Sequence, residues 1–199
     1  MNNQDIWKKL MLLTESKILT AALMAHFKAE SGLRPNNLQN SFERKIGMTD
    51  EQYTENVDNG SYPRDAFIHD SAGYGLAQWT YWSRKELLYD WMKKKGYSIG
   101  NMDGQIAFCI AELQVKYPAI WNARHNMELY DMVSKLHKEY ERPADQSDLA
   151  IRKRYTYADE FMKEFGSDTN TEDKKIILEA IAEIRKSLDI LEGWIESHD

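Results

Sequence analysis

The chain has 199 residues, 42% hydrophobic and 29% charged, a balance that supports a packed core and excludes a disordered polymer. Its formal net charge of -6 argues against nucleic acid as a partner, because phosphate binding wants clustered Lys and Arg. There is no apolar run long enough for a membrane span, and Met1 to Lys9 lacks the pattern of a signal peptide.

The predicted elements are mostly helical. From about Thr14 to Ser31, Ile18, Leu19, Ala22, Leu23 and Phe27 form one apolar stripe, and Gly32 supplies the stop. A long polar stretch follows, Leu33 to Ala72, with a short helical piece near Asp50 to Asn56. Short strands are expected around Asp58-Asn59-Gly60 and Tyr62-Pro63. Ser83-Arg84-Lys85-Glu86 has the form of a capping box, and the helix it opens runs to Gly96. Lys93-Lys94-Lys95 suits that helix's negative pole. Further helices are expected over Met102 to Lys116, Asn126 to Tyr140 and Asp145 to Phe165, with breaks at Pro118 and Glu141-Arg142-Pro143. The fold class is therefore mainly α, with a short β-hairpin or irregular polar region.

Residues 1–166 form the expected domain and residues 167–171 a polar linker. In 172–199, Ile177, Ile181, Ile184, Leu188, Leu191 and Ile195 make a heptad seam in an acidic helix, suited to self-association or to docking on another protein. Cys109, the one cysteine, lies between apolar neighbours and reads as an inert buried thiol, so neither a disulfide framework nor a cysteine peptidase is expected. No zinc spacing occurs, and no metal or cofactor is expected.

Two segments carry candidate chemistry. In Ala29-Glu30-Ser31-Gly32-Leu33, a carboxylate sits in the last turn of an apolar helix. The dipole's negative end and an apolar setting both disfavour its ionised form, which suits a general acid. In Gly73-Tyr74-Gly75-Leu76-Ala77-Gln78-Trp79-Thr80-Tyr81-Trp82, two glycines permit a tight turn. Gln78 offers amide hydrogen bonds, and Trp79, Tyr81 and Trp82 offer flat faces for sugar rings. Taken singly, each has a plain structural account: a solvated helix-end glutamate, and a turn leading into a core helix.

Together they change the balance. Glu-Ser at a helix end followed by Gly-Leu-x-Gln resembles the motifs of soluble lytic transglycosylases and goose-type lysozymes. The chain is more closely similar to the phage tail lysozyme family, over Ala29 to Leu33, Asn36-Asn37-Leu38-Gln39-Asn40-Ser41, Tyr53, Val57-Asp58-Asn59-Gly60, Gly73 to Thr80 and Glu141-Arg142-Pro143-Ala144, covering roughly residues 15 to 165. The resemblance implies a helical lysozyme-like fold and a β-(1,4)-glycosidic substrate in peptidoglycan. It also implies Glu30 as proton donor, and a virion protein that digests the bacterial wall locally during entry. Ser31, Tyr74, Gln78, Trp79 and Tyr81 are the expected substrate-binding residues.

A glycosidase commonly pairs its acid with a second carboxylate. Asp70, which immediately precedes the glycine-rich element, is the first choice and Glu43 the runner-up, with Asp58 and Asp65 in the same stretch. A lytic transglycosylase needs only Glu30. His26, one turn before Glu30, is assigned no catalytic role, and Glu141 is read as structural. Tyr155 and Tyr157 lie where related transglycosylases present an aromatic residue to the sugar, a correspondence no motif anchors. The competing reading is a virion component that binds the wall or serves as a scaffold without cutting.

Overall fold

The helical periodicity becomes helix almost everywhere in the computed structural model, which describes residues 1–166. Ten α-helices occur among the described residues: α1 (Asn3–Thr14), α2 (Lys17–Ser31), α3 (Asn40–Ile46), α4 (Asp50–Asn59), α5 (Arg64–His69), α6 (Trp82–Lys94), α7 (Met102–Lys116), α8 (Pro118–Ala123), α9 (Leu129–Lys135) and α10 (Asp148–Phe165). A π-helical turn, Leu136–Glu141, continues α9. The linker and heptad segment expected after Gly166 lie outside the described residues.

Local chemistry explains most boundaries. The Asn2 side-chain oxygen accepts a hydrogen bond from the Asp5 amide at 2.9 Å, and the Asp5 carboxylate accepts one from the Asn2 amide at 3.1 Å. This reciprocal cap starts α1, a helix the sequence reading did not delimit. Thr49 and Gln52 make the same exchange at the start of α4, and Gly60 ends that helix at φ +85°. Ser147 caps α10 through the Ala150 amide.

Three expectations are corrected. Strands do not form around residues 58–63, where α4 and α5 stand instead. The short stretch has no partner strand, so its backbone groups are satisfied within helices. Extended pairing among the described residues is confined to two single antiparallel bridges, Leu38 with Tyr74 and Tyr74 with Trp79. The capping box at Ser83 does not form either: α6 starts two residues earlier, with Tyr81 at the N-cap and no side-chain cap. The helix expected over Asn126 to Tyr140 begins at Leu129 and widens into the π-helical turn, closed by Arg142 at φ +50°.

The described residues form two compact units, one from Met1–Ala25 with residues 110–166, and one from His26–Cys109. In the first, α1 contributes Ile6, Trp7, Leu10 and Leu13 to a core that includes Met132, Val133, Leu136, Ile151 and Phe161. Trp7 packs on Phe165, and the buried Glu112 carboxylate accepts the Tyr140 hydroxyl at 2.9 Å. In the second unit, Phe27, Leu38, Tyr53, Phe67, Tyr74, Leu76, Trp79, Leu88, Trp91 and Phe108 are buried. The second unit contains the candidate site.

Candidate functional site

The apolar run of α2 ends in a turn that the sequence dictates. Gly32 and Leu33 both take φ +63°, and their amides bond back to Lys28 and Phe27 carbonyls. Glu30 is half-buried in the last turn of this helix, beside the buried Ser31. Ser31 Oγ lies 2.9 Å from the Phe27 carbonyl and 3.1 Å from the Leu76 carbonyl. The first contact is the usual serine return to its own helix; the second reaches the glycine-rich turn 45 residues on. The two segments singled out from the sequence are thus joined by one hydroxyl.

The glycine-rich turn runs between two ends of one bridge: the Tyr74 and Trp79 main chains exchange hydrogen bonds at 3.2 and 3.0 Å. Gly75 stands at φ +75°, and a Cβ there would meet Gln105 Oε1 at 2.5 Å, so conformation and space both demand glycine. Gln105 is fully buried and fills the turn. Its Oε1 accepts from the Leu76 amide, and its Nε2 donates to the Pro35 and Ile99 carbonyls. Gln78 Nε2 donates to the Asn37 and Gly75 carbonyls, so this side chain braces the turn from the other side. Tyr74 and Trp79 are fully buried, the former bonded to Thr54 and the latter edge-on to Phe108. They offer no face to a sugar here and instead form the base on which the turn rests. Tyr81 and Trp82 are exposed.

Asp70, expected as the second carboxylate, stands in a buried ion pair. Its Oδ1 lies 2.5 Å from Lys85 Nζ and accepts the Ala72 amide at 2.8 Å, while Oδ2 accepts from the Tyr53 and Tyr62 hydroxyls. The side chains of Lys85 and Asp70 are 0% and 8% exposed, so the pair is shielded from water. Lys85 Nζ also donates to the Ala72 carbonyl at 3.0 Å and sits 4.3 Å from the Phe67 ring centre. Burial pulls the Lys85 ammonium below its ordinary value, against the opposing pull of Asp70. Burial first, then the Asp70 charge, pushes Tyr53 well up, and the same causes push Tyr62 up to about 12. This is a structural knot that holds α5 to α6.

The other acids fall into distinct settings. Asp58 accepts from Lys93 Nζ and the Ile99 amide, and Asp65 stands in solvent beside His69. Glu43 is half-buried in the first turn of α3. Asp50, which the sequence reading passed over, is buried, with Arg34 at 2.8 Å on one oxygen and the Leu38 amide at 2.8 Å on the other. Its signal was a carboxylate right after a capping threonine. Gln105 and Lys85 were also missed: Gln105 belongs to no motif, and Lys85 stood only as an inner position of the expected capping box. A surface depression of about 590 Å³ is lined by Asn36, Glu51, Thr54, Glu55, Asp58 and Asn59, and not by Glu30, Asp70 or Glu43. No cluster of three or more His, Cys, Asp or Glu suited to a metal ion occurs among the described residues. His26 and Cys109 are buried. Tyr155, in the first unit, packs edge-on to Tyr130.

No curated protein and no solved structure matches the chain. The family model of the phage tail lysozymes matches residues 1–165 of the 199, through the Glu30 helix end, the glycine-rich turn and every helix described above. The chain belongs to the phage tail lysozyme family.

Proposed function

We propose that this chain cleaves the β-(1,4)-glycosidic bonds of peptidoglycan strands, with Glu30 as general acid, from a position on a phage tail that opens the wall locally during entry. Family membership supplies the coarser statement, a lysozyme-like peptidoglycan hydrolase. The observation that carries the finer one is the 3.1 Å contact between Ser31 Oγ and the Leu76 carbonyl. It ties the residue after Glu30 to the glycine-rich turn, so the acid and the turn are held together.

In this mechanism the Glu30 carboxyl gives its proton to the leaving glycosidic oxygen as the bond to the anomeric carbon breaks. Gln78 and Tyr81, both reachable from solvent, contact the glycan, whereas Ser31, Tyr74 and Trp79 support the turn from behind. Because Asp70 is paired with the buried Lys85, Glu43, the runner-up, becomes the preferred second carboxylate. The same pairing favours a second reading, transglycosylation, in which the substrate's own hydroxyl captures the anomeric carbon and no second acid is needed. Mass spectrometry separates them: hydrolysis leaves a reducing sugar, and transglycosylation an anhydro sugar. The heptad seam beyond residue 172 suits docking on another virion protein or on a second copy.

Glu30→Gln is the direct test. The amide keeps the shape but has no proton to give, so clearing of purified peptidoglycan should fall at least about 100-fold with an unchanged melting temperature. Retention of more than about a tenth of the activity would reassign the acid. A wild-type protein that binds the wall without solubilising it would establish the non-enzymatic alternative.

A further inference from the structure

Among the described residues, the exposed Trp, Tyr and Phe side chains are two neighbours, Tyr81 at 63% and Trp82 at 48%. An exposed Trp beside an exposed Tyr is an unfavourable use of apolar surface unless something covers it. Their position sharpens the point. Tyr81 is the N-cap of α6, where Ser, Thr, Asp or Asn would bond a free amide, and it makes no such bond. The chain forgoes a helix cap and sets two rings at the surface instead.

A third ring extends the row. His69, at the end of α5 and 57% exposed, stacks on Trp82 with 6.3 Å between ring centres and 16° between planes, and Tyr81 lies 5.9 Å from Trp82 with its ring tilted by 42°. His69 is held in place by its own turn: Nδ1 is 3.0 Å from the Asp65 carbonyl and 3.2 Å from its carboxylate. The row is also fixed from below. Asp70 follows His69 directly, Lys85 comes one helical turn after Trp82, and these two form the buried ion pair. Arg64 adds bonds from α5 to Asp90 and Glu86 on α6. The spacing of His69 and Trp82 is therefore built into the fold before any ligand arrives.

We infer that Tyr81, Trp82 and His69 form a preorganised aromatic platform on which successive pyranose rings of an N-acetylated glycan strand stack. The inference rests on the peptidoglycan reading above and adds Trp82 and His69 to its binding residues. Flat rings with polar edges suit pyranoses, whose faces are apolar and whose hydroxyls point outward. Exposed polar residues stand close to these rings in the chain, with Asp65 against His69, Ser71 shortly after it and Thr80 before Tyr81. A protein partner fits less well, because two or three rings supply far less than the roughly 1,000 Å² that a specific protein interface needs.

The test uses the full chain carrying Glu30→Gln, so that binding is read without turnover. The probes are the tetramer of β-(1,4)-linked N-acetylglucosamine, by calorimetry, and purified sacculi, by sedimentation. Adding Tyr81→Ala or Trp82→Ala should weaken tetramer binding about tenfold, as expected for losing a stacked ring. Trp82→Tyr should recover most of the loss, and melting temperatures should not move. Unchanged tetramer binding in both alanine variants overturns the platform, as does a Glu30→Gln parent that fails to bind tetramer and sacculi. Intact glycan binding with lost incorporation into particles would also overturn it, giving the rings to a protein partner. The hydrolase reading is judged separately, by wall clearing with the unmodified protein, and can stand if the platform falls.

Discussion

Replacing Asp70 by asparagine distinguishes a catalytic carboxylate from a structural one. Asparagine keeps the shape and can still accept the Ala72 amide at Oδ1, but the Lys85 ammonium loses its counter-charge. With Lys85 at 0% exposure, water cannot replace the lost partner, and the Ala72 carbonyl and Phe67 ring compensate only in part. Breaking one side of a buried pair costs about 3–5 kcal/mol, a large share of the roughly 5–15 kcal/mol that holds a domain folded. In Asp70→Asn/Lys85→Met neither member of the pair is charged. The double variant should recover most of that loss and fall short by about 1–3 kcal/mol for the Ala72 carbonyl left without its donor. Urea denaturation of the full chain and both variants gives the three free energies. Wall clearing, measured well below each melting temperature, should fall only as far as the folded fraction falls. An Asp70→Asn protein with unchanged stability and activity reduced about 100-fold or more would refute this reasoning and restore Asp70 as a catalytic group.

Trp79→Ala should lower stability by about 3–5 kcal/mol, because a fully buried indole leaves a cavity beside Phe108; an unchanged denaturation midpoint with weaker glycan binding would put Trp79 at the ligand surface instead. Gly75→Ala should cost at least about 1–3 kcal/mol in backbone strain alone, and displacement of Gln105 should depress wall clearing further; a neutral result would remove the turn's demand for glycine. Stability should fall as pH rises above about 10. Tyr53, Tyr62 and Tyr74 all have folded values raised above that of the unfolded chain, so the unfolded state loses its protons first and their stabilisation is lost as pH climbs toward and past the value of about 12 for Tyr62. Lys85 is lowered and acts in the opposite sense below about 10.4, one group against three. Tyrosinate absorbance and melting temperature against pH check this together: three tyrosines ionising normally with no loss of stability would contradict it.

What could be read without coordinates was local in its physics. The apolar stripe from Ile18 to Phe27, the stop at Gly32 and the extent of α7 follow from periodicity and glycine conformation, which act over a few residues. The candidate acid was legible for the same reason, since Glu30-Ser31-Gly32 is a helix end whatever surrounds it. Aromatic residues near the glycine-rich turn were legible as a group but not individually. Residue type does not tell a buried ring from an exposed one, and within one short segment Tyr74 and Trp79 went to the core while Tyr81 and Trp82 went to the surface.

The acidic stretch before the turn illustrates the division most sharply. By itself the sequence determined a mainly helical chain, the Glu30 helix end and a turn that needs its glycines. Only the tertiary structure decided the fate of each carboxylate: Asp70 to Lys85, Asp50 to Arg34 and Leu38, Asp58 to Lys93 and Ile99. A carboxylate's role depends on which charge lies within a few ångströms and whether water reaches it. Both are set by residues 12 to 41 positions away in the chain, brought close by the packing of helices rather than by any signal beside the acid itself.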